Sequence, residues 1–162
     1  LEYITGHCEF MGQDFEVGKG VLIPRFETEI LIEKAIDIAS KFNAPRIAEI
    51  GVGSGIISIS LALELKNAKI IATDISLDAL RYAKINKDKF QANIELIESN
   101  YLDKIDGDFD IIISNPPYIA FDDPEGIICL LLDLAIGFAL PQVNSFEHVH
   151  DCLEVLVKMS LA

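Results

Sequence analysis

Glu49-Ile50-Gly51-Val52-Gly53-Ser54-Gly55 follows the short apolar run Arg46–Ile50 and leads into Ile56–Leu65, whose apolar residues all but encircle a helix. Strand, glycine loop and helix in that order put bare backbone at the carboxyl end of a strand, where a ligand can lie against it. The spacing is GxGxG, not GxGxxG, and no Gly-Lys-Ser/Thr follows, so neither a nicotinamide dinucleotide nor a P-loop nucleotide is the first choice. Asp74 closes the next apolar strand, Lys69–Thr73, about 20 residues after Gly55, where doubly wound folds place an acid that accepts hydrogen bonds from both ribose hydroxyls. The pair points to an adenosine-containing ligand. Asp74 or Ser76 can also cap the helix that follows, and the two roles are compatible.

Outward from this loop the pattern alternates. Leu77, Leu80, Ala83 and Ile85 mark a helix ending near Phe90, followed by strands at Ile94–Ile97 and Phe109–Ser114. Strands alternating with helices of this length imply right-handed crossovers and a mostly parallel α/β sheet. Upstream, Phe10–Val17 and Val21-Leu22-Ile23, punctuated by Gly12, Gly18 and Gly20, read as a β-hairpin that Pro24 ends. Thr28 is the expected cap of a helix carrying Ile30, Leu31, Ala35, Ile38 and Ala39, stopped by Asn43-Ala44-Pro45. We divide the chain into a hairpin linker region, 1–24, and a partial ligand-binding α/β domain, 25–162. Ile127–Leu140 fits a buried helix or a strand, and we assign it as helix; Asn144 with Glu147 opens a last amphipathic helix.

Composition bounds the function. Hydrophobic residues make up 51% and charged residues 24% of 162, with mean hydropathy +0.34, which excludes a disordered chain. A net charge of −13 spread over a folded surface of about 8,000 Å² argues against a broad phosphate-gripping face, and so against a nucleic-acid partner. Cys8, Cys129 and Cys152 are an odd number without CxxC, which fits a reducing cytoplasm. The longest nearly apolar run, Ile127–Leu140, is too short to span a bilayer, so no membrane association is expected. The chain opens at Leu1 and not at a methionine, and we read it as a fragment. His148, His150 and Cys152 do not share one helical face, so no metal site is assigned.

Phe109–Ser114 runs into Asn115-Pro116-Pro117-Tyr118, at the strand end where open α/β sheets bind substrate. The prolines stiffen the turn and remove two amide donors, leaving carbonyls free to accept. The Asn115 side-chain carbonyl and the Pro116 backbone carbonyl can accept the two N–H bonds of a planar NH₂ group while Tyr118 covers its flat face. An amide or exocyclic amine nitrogen is a poor nucleophile because its lone pair is delocalised. Two acceptors aimed at its hydrogens favour the pyramidal, more positive nitrogen of a transition state, with no catalytic base required.

Glu49–Gly55, Asp74 and Asn115–Tyr118 together resemble the class I S-adenosylmethionine-dependent methyltransferases with an NPPY motif. With Tyr3-Ile4-Thr5-Gly6, Glu9-Phe10-Met11-Gly12 and Val21-Leu22-Ile23-Pro24-Arg25-Phe26-Glu27-Thr28-Glu29, the chain is similar to the release-factor glutamine methyltransferases, the HemK/PrmC family, from Leu1 to about Ala120. The resemblance implies a Rossmann-like sheet preceded by a β-hairpin, S-adenosyl-L-methionine as methyl donor and S-adenosyl-L-homocysteine as product. It also implies a peptide chain release factor as protein substrate, methylated on the glutamine of its Gly-Gly-Gln tip. By position, Glu49, Gly51, Val52, Gly53, Ser54 and Gly55 hold the methionyl part of the cofactor, Asp74 the ribose and Tyr101 the adenine. Asn115 touches both cofactor and substrate. Asn115, Pro116, Pro117 and Tyr118 bind the glutamine side chain, with Asn115, Pro116 and Tyr118 the catalytic set.

The family's aspartate before the adenine-facing aromatic is Asn100 here, and Phe26 replaces a common proline. The family's N-terminal helical domain and its last strands are not expected within these residues. The strand at Ile111–Ile113 is therefore expected to leave an open edge, inviting self-association, unless Ile127–Leu140 or another chain covers it. The rival readings are methylation of an exocyclic base amine in DNA or RNA, and an inactive cofactor-binding fragment.

Overall fold

The computed structural model describes residues 5–24, 26–115 and 136–138. Strands β1 (His7–Phe10) and β2 (Gln13–Glu16) pair antiparallel around Met11-Gly12, both at positive φ, the backbone of a tight hairpin turn. The hairpin thus closes within residues 7–16. Val21–Ile23, expected to be part of it, forms no strand and runs irregularly into Pro24.

Helix α1 (Phe26–Ala39) buries Leu31, Ile32, Ala35 and Ala39, a stripe at helical spacing. The order then becomes β3 (Arg46–Ile50), α2 (Ile56–Glu64), β4 (Lys69–Asp74), α3 (Leu77–Phe90), β5 (Ile94–Glu98), β6 (Ile111–Ser114) and β7 (Ile136–Phe138). The sheet order is β5-β4-β3-β6-β7. β3 is parallel to both neighbours, with Ile47 opposite Ile70 and Ile111, and β5 is parallel to β4. This is the mostly parallel sheet implied by the alternation, with the chain reversing direction across β3 so that a crevice opens at the carboxyl ends of β3, β4 and β6.

β7 corrects one assignment. Within Ile127–Leu140, read as helix, residues 136–138 are a strand antiparallel to β6, with Ile112 opposite Gly137. An all-apolar run carries no period to separate the two states, and the unpaired amides and carbonyls of β6 decide in favour of a strand. Among the described residues, the edge for which self-association was expected is therefore paired. Residues 127–135, the helix expected after Asn144, and the set-aside His148, His150 and Cys152 lie outside the described residues.

Every residue from Ile56 to Leu61 is buried, which explains a helix apolar on all sides. α2 contacts α1, α3 and the sheet. The hairpin joins the same core: Cys8, Phe10, Phe15 and Val17 cluster with Ile47, Ile59 and Ile94, and the Phe15 ring lies 4.7 Å from that of Phe90 on α3. Asn86 of α3, 0% exposed, accepts from the Glu16 amide at 2.7 Å and donates to the Glu16 and Ser54 carbonyls at 2.8 and 2.9 Å. One carboxamide thereby ties the hairpin to the glycine loop. At the opposite end of the sheet, Arg46 donates to the Asp106 and Asp108 carbonyls and stacks 4.4 Å over Phe109, anchoring the approach to β6.

Candidate active site

β3 delivers the glycine loop to the crevice. Gly51, Gly53 and Gly55 have φ of +77, +54 and +85°, a region where a side chain is strained. They do so for two different reasons. A Cβ on Gly51 or Gly53 would meet nothing within 4 Å, so the backbone there faces open space. One on Gly55 would come within 2.9 Å of Ile59 and 3.3 Å of the Ala83 backbone. The first two glycines bare the backbone; the third lets α2 pack close to α3. The loop is held from β4, because the Thr73 carbonyl accepts from both the Gly51 and Val52 amides at 2.8 Å.

Asp74 ends β4 beside this loop. Its Oδ2 accepts from the Gly53 amide at 3.0 Å and its Oδ1 from the Ser76 amide at 2.9 Å, so each oxygen keeps acceptor capacity. The capping question resolves to Ser76, whose Oγ accepts from Ala79 at the start of α3. Beside Asp74, Ile75 is 72% exposed, and Tyr101, 41% exposed, stands at φ +49° just past the adjacent strand. That backbone costs a bulky residue roughly 1–2 kcal/mol, so the surrounding turn imposes it.

Glu49, 2% exposed, receives the Ser58 amide at 3.0 Å and the Ser58 hydroxyl in a short bond. Burial pushes its carboxyl up to about 8; the Ser58 hydrogen bonds oppose the rise and the charge of Asp74 adds a little to it. An unfolded glutamate titrates near 4.5, so between pH 4.5 and 8 the folded chain holds a proton that the unfolded chain has lost, and stability falls as pH rises through that window. Glu49→Gln removes this slope. Its unfolding free energy should gain on the wild type by a few kcal/mol between pH 5 and pH 8, read by urea denaturation; a pH-independent difference would show an ionised carboxylate throughout.

Asn115 ends β6 on the far side of the loop, half-buried, with Nδ2 donating to Thr28 Oγ1 at 3.1 Å. Thr28 is not the helix cap expected from the sequence. α1 begins at Phe26, and Thr28, 4% exposed, lies in its first turn. Asn115, Thr28, Glu49, Gly51–Ser54, Leu22 and Pro24 line one cleft. The structure thus brings together Glu49, the loop from Gly51 to Ser54 and Asn115, while Asp74 joins them through Gly53. Pro116, Pro117 and Tyr118 lie outside the described residues. Sequence reasoning missed Thr28 as a wall residue, and Ser58, Ile75 and Asn86 altogether. Asn86 alone carried a usable signal: it is a polar residue in helical register with buried Ala79 and Ala83.

Among the described residues no helix is long and apolar enough to cross a membrane, and no group of His, Cys, Asp or Glu could hold a metal ion.

A parallel sheet with a glycine loop after β3, an acid at the end of β4 and an asparagine at the end of β6 defines the class I methyltransferase fold. Residues 10–128 match the family "Methyltransferase small domain", and the chain belongs to that family. It is 46% identical over 151 residues to the release factor glutamine methyltransferase of Fusobacterium nucleatum, covering 91% of this chain and 39% of the relative. To the Lactococcus lactis enzyme of the same name it is 49% identical over 122 residues, covering 75% and 45%. The chain spans less than half the length of these two relatives. Among solved structures, the ribosomal protein L11 methylase of Lactobacillus delbrueckii matches with TM-score 0.52 and 27% identity, over 73% of this chain and 57% of that one. The HemK/PrmC resemblance read from the motifs agrees with these relatives.

Proposed function

We propose that this chain is the catalytic part of an enzyme that transfers a methyl group from S-adenosyl-L-methionine to the glutamine side-chain amide of a release factor's Gly-Gly-Gln motif, leaving S-adenosyl-L-homocysteine. The observation that carries the reading is one cleft lined both by bare, open backbone at Gly51 and Gly53 and by Asn115. Its residues fit such a cofactor. Open glycine backbone accommodates the methionyl part, the spare acceptor capacity of Asp74 suits two ribose hydroxyls, and exposed Ile75 and Tyr101 offer apolar surface to a flat base. When bound, the cofactor supplies an activated methyl on a sulfonium. The protein holds the accepting nitrogen in line, with Asn115 and the Pro116 carbonyl drawing on its two hydrogens and Tyr118 covering its face. Buried Glu49 braces the loop through Ser58 of α2.

We place the activity in the cytoplasm, in translation termination, with residues 1–24 as a β-hairpin linker region and residues 25–162 as the cofactor-binding domain. The acid surface of −13 suits a basic protein substrate better than nucleic acid. Incubation with a release factor and methyl-labelled cofactor tests this: label should enter the wild-type factor and be lost when the glutamine of Gly-Gly-Gln is changed. Label in DNA or RNA, or none at saturating cofactor, would overturn it. For the cofactor half, Asp74→Ala should weaken binding at least about tenfold in calorimetry, since hydrogen bonds to a charged acceptor contribute more than neutral ones. Equal affinity in a folded variant would remove Asp74 from the site.

A further inference from the structure

The cleft contains a contact that the reaction chemistry alone does not call for, between Asn115 at the end of β6 and Thr28 in the first turn of α1, 87 residues apart in sequence. A carboxamide has a donor end and an acceptor end on opposite sides of one carbon, and rotation by half a turn exchanges them. For binding an NH₂ group only one orientation works, because the oxygen must face the substrate; the flipped form would present N–H to N–H. Among the described residues, the side-chain contact that distinguishes the two orientations of half-buried Asn115 is the one with Thr28.

We propose that Thr28 is a positioning residue that fixes the Asn115 carboxamide with its nitrogen towards α1 and its oxygen towards the cleft. The inference rests on the methyl-transfer reading above and adds the element that orients its acceptor. Nδ2 donates to Thr28 Oγ1 at 3.1 Å, and with the hydroxyl oxygen as acceptor in this bond the planar geometry of the group turns Oδ1 away from the helix. Thr28 is 4% exposed and Asn115 half-buried, so a donor that loses this partner is left in part-buried surroundings, at a cost. Both residues line the cleft together with the glycine loop, so the bond lies on the wall of the site itself and not behind it. Helix α1 thereby has a role in the chemistry: its first turn sets the polarity of the substrate pocket.

Thr28→Val keeps the shape and removes the oxygen; Thr28→Ser keeps the oxygen and removes the methyl. Two readouts are taken on this chain with a release factor as substrate, and a cofactor titration checks that each variant is folded. In ¹⁵N spectra the Asn115 side-chain amide protons should be protected from exchange in the wild type and in Thr28→Ser, and should shift and exchange faster in Thr28→Val. Turnover should fall about tenfold or more in Thr28→Val at unchanged cofactor affinity, and return to near the wild-type rate in Thr28→Ser. Unmoved Asn115 resonances in Thr28→Val overturn the proposal. So does full turnover in that variant, even if its stability drops, because the bond would then only fasten α1 to β6. Wild-type protein without any turnover defeats the methyl-transfer reading instead, and the amide resonances alone then decide whether Thr28 orients Asn115.

Discussion

Asn86→Leu is expected to lower the free energy of unfolding by roughly 3 kcal/mol or more, the largest stability loss from any single side chain considered, because it leaves several backbone groups without partners at once. The replacement has similar volume, so cavity formation contributes little. What disappears is an acceptor for the Glu16 amide and two donors, to the Glu16 and Ser54 carbonyls, at a position with no solvent access. Asn86→Asp is the informative companion. It retains an acceptor for Glu16 but turns a carboxylate towards two carbonyls, so it should be as damaging as leucine at neutral pH and milder at low pH, where the protonated acid can donate one bond. Urea denaturation with wild type and both variants checks this. A loss below about 1 kcal/mol for leucine would show that the hairpin holds to α3 through Phe15, Phe90 and the Lys89–Asp14 ion pair without the amide clamp.

The second large effect is on turnover. Asn115→Ala should reduce methyl transfer by about a hundredfold or more while cofactor affinity stays within about threefold, because an acceptor that strengthens as the nitrogen becomes positive acts on the transition state more than on the ground state. The β6 backbone hydrogen bonds do not involve this side chain, and Ser114 Oγ still donates to the Ile50 carbonyl beside it, so the strand end should keep its place. Steady-state kinetics on a release factor, with dissociation constants from calorimetry, separate the two quantities. Turnover within about fivefold of wild type would take Asn115 out of the chemistry.

What could be read from residues alone followed from how local its cause is. The loop after β3 was legible because positive φ at Gly51, Gly53 and Gly55 is a property of single residues, and the acid at Asp74 because strand length and crossover length fix where it falls. The strand β7 was not, since a pairing partner and not a local preference selects it. Thr28 resembled a helix cap, the commonest reason for a threonine before an apolar helical pattern; its real partner lies on β6. Of the apolar residues that marked α3, Leu77 is 68% exposed, while Leu80 packs beside the buried face of Ala79, Ala83 and Asn86. Small residues let that helix lie close to the glycine loop, and a buried amide among them is visible only once the groups it satisfies are in place.

The clamp at Asn86 also sets an order of events during synthesis. Glu16 leaves the ribosome 70 residues ahead of the side chain that holds it. At ordinary elongation rates that is a delay of roughly four to fourteen seconds, far longer than a hairpin needs to form. For that interval β1 and β2 have neither Phe90 nor Asn86 to dock against, and their apolar side stays open to chaperones or to neighbouring nascent chains. The hairpin becomes part of the body only when α3 is complete, so an element made early waits for a side chain made 70 residues later before it is locked.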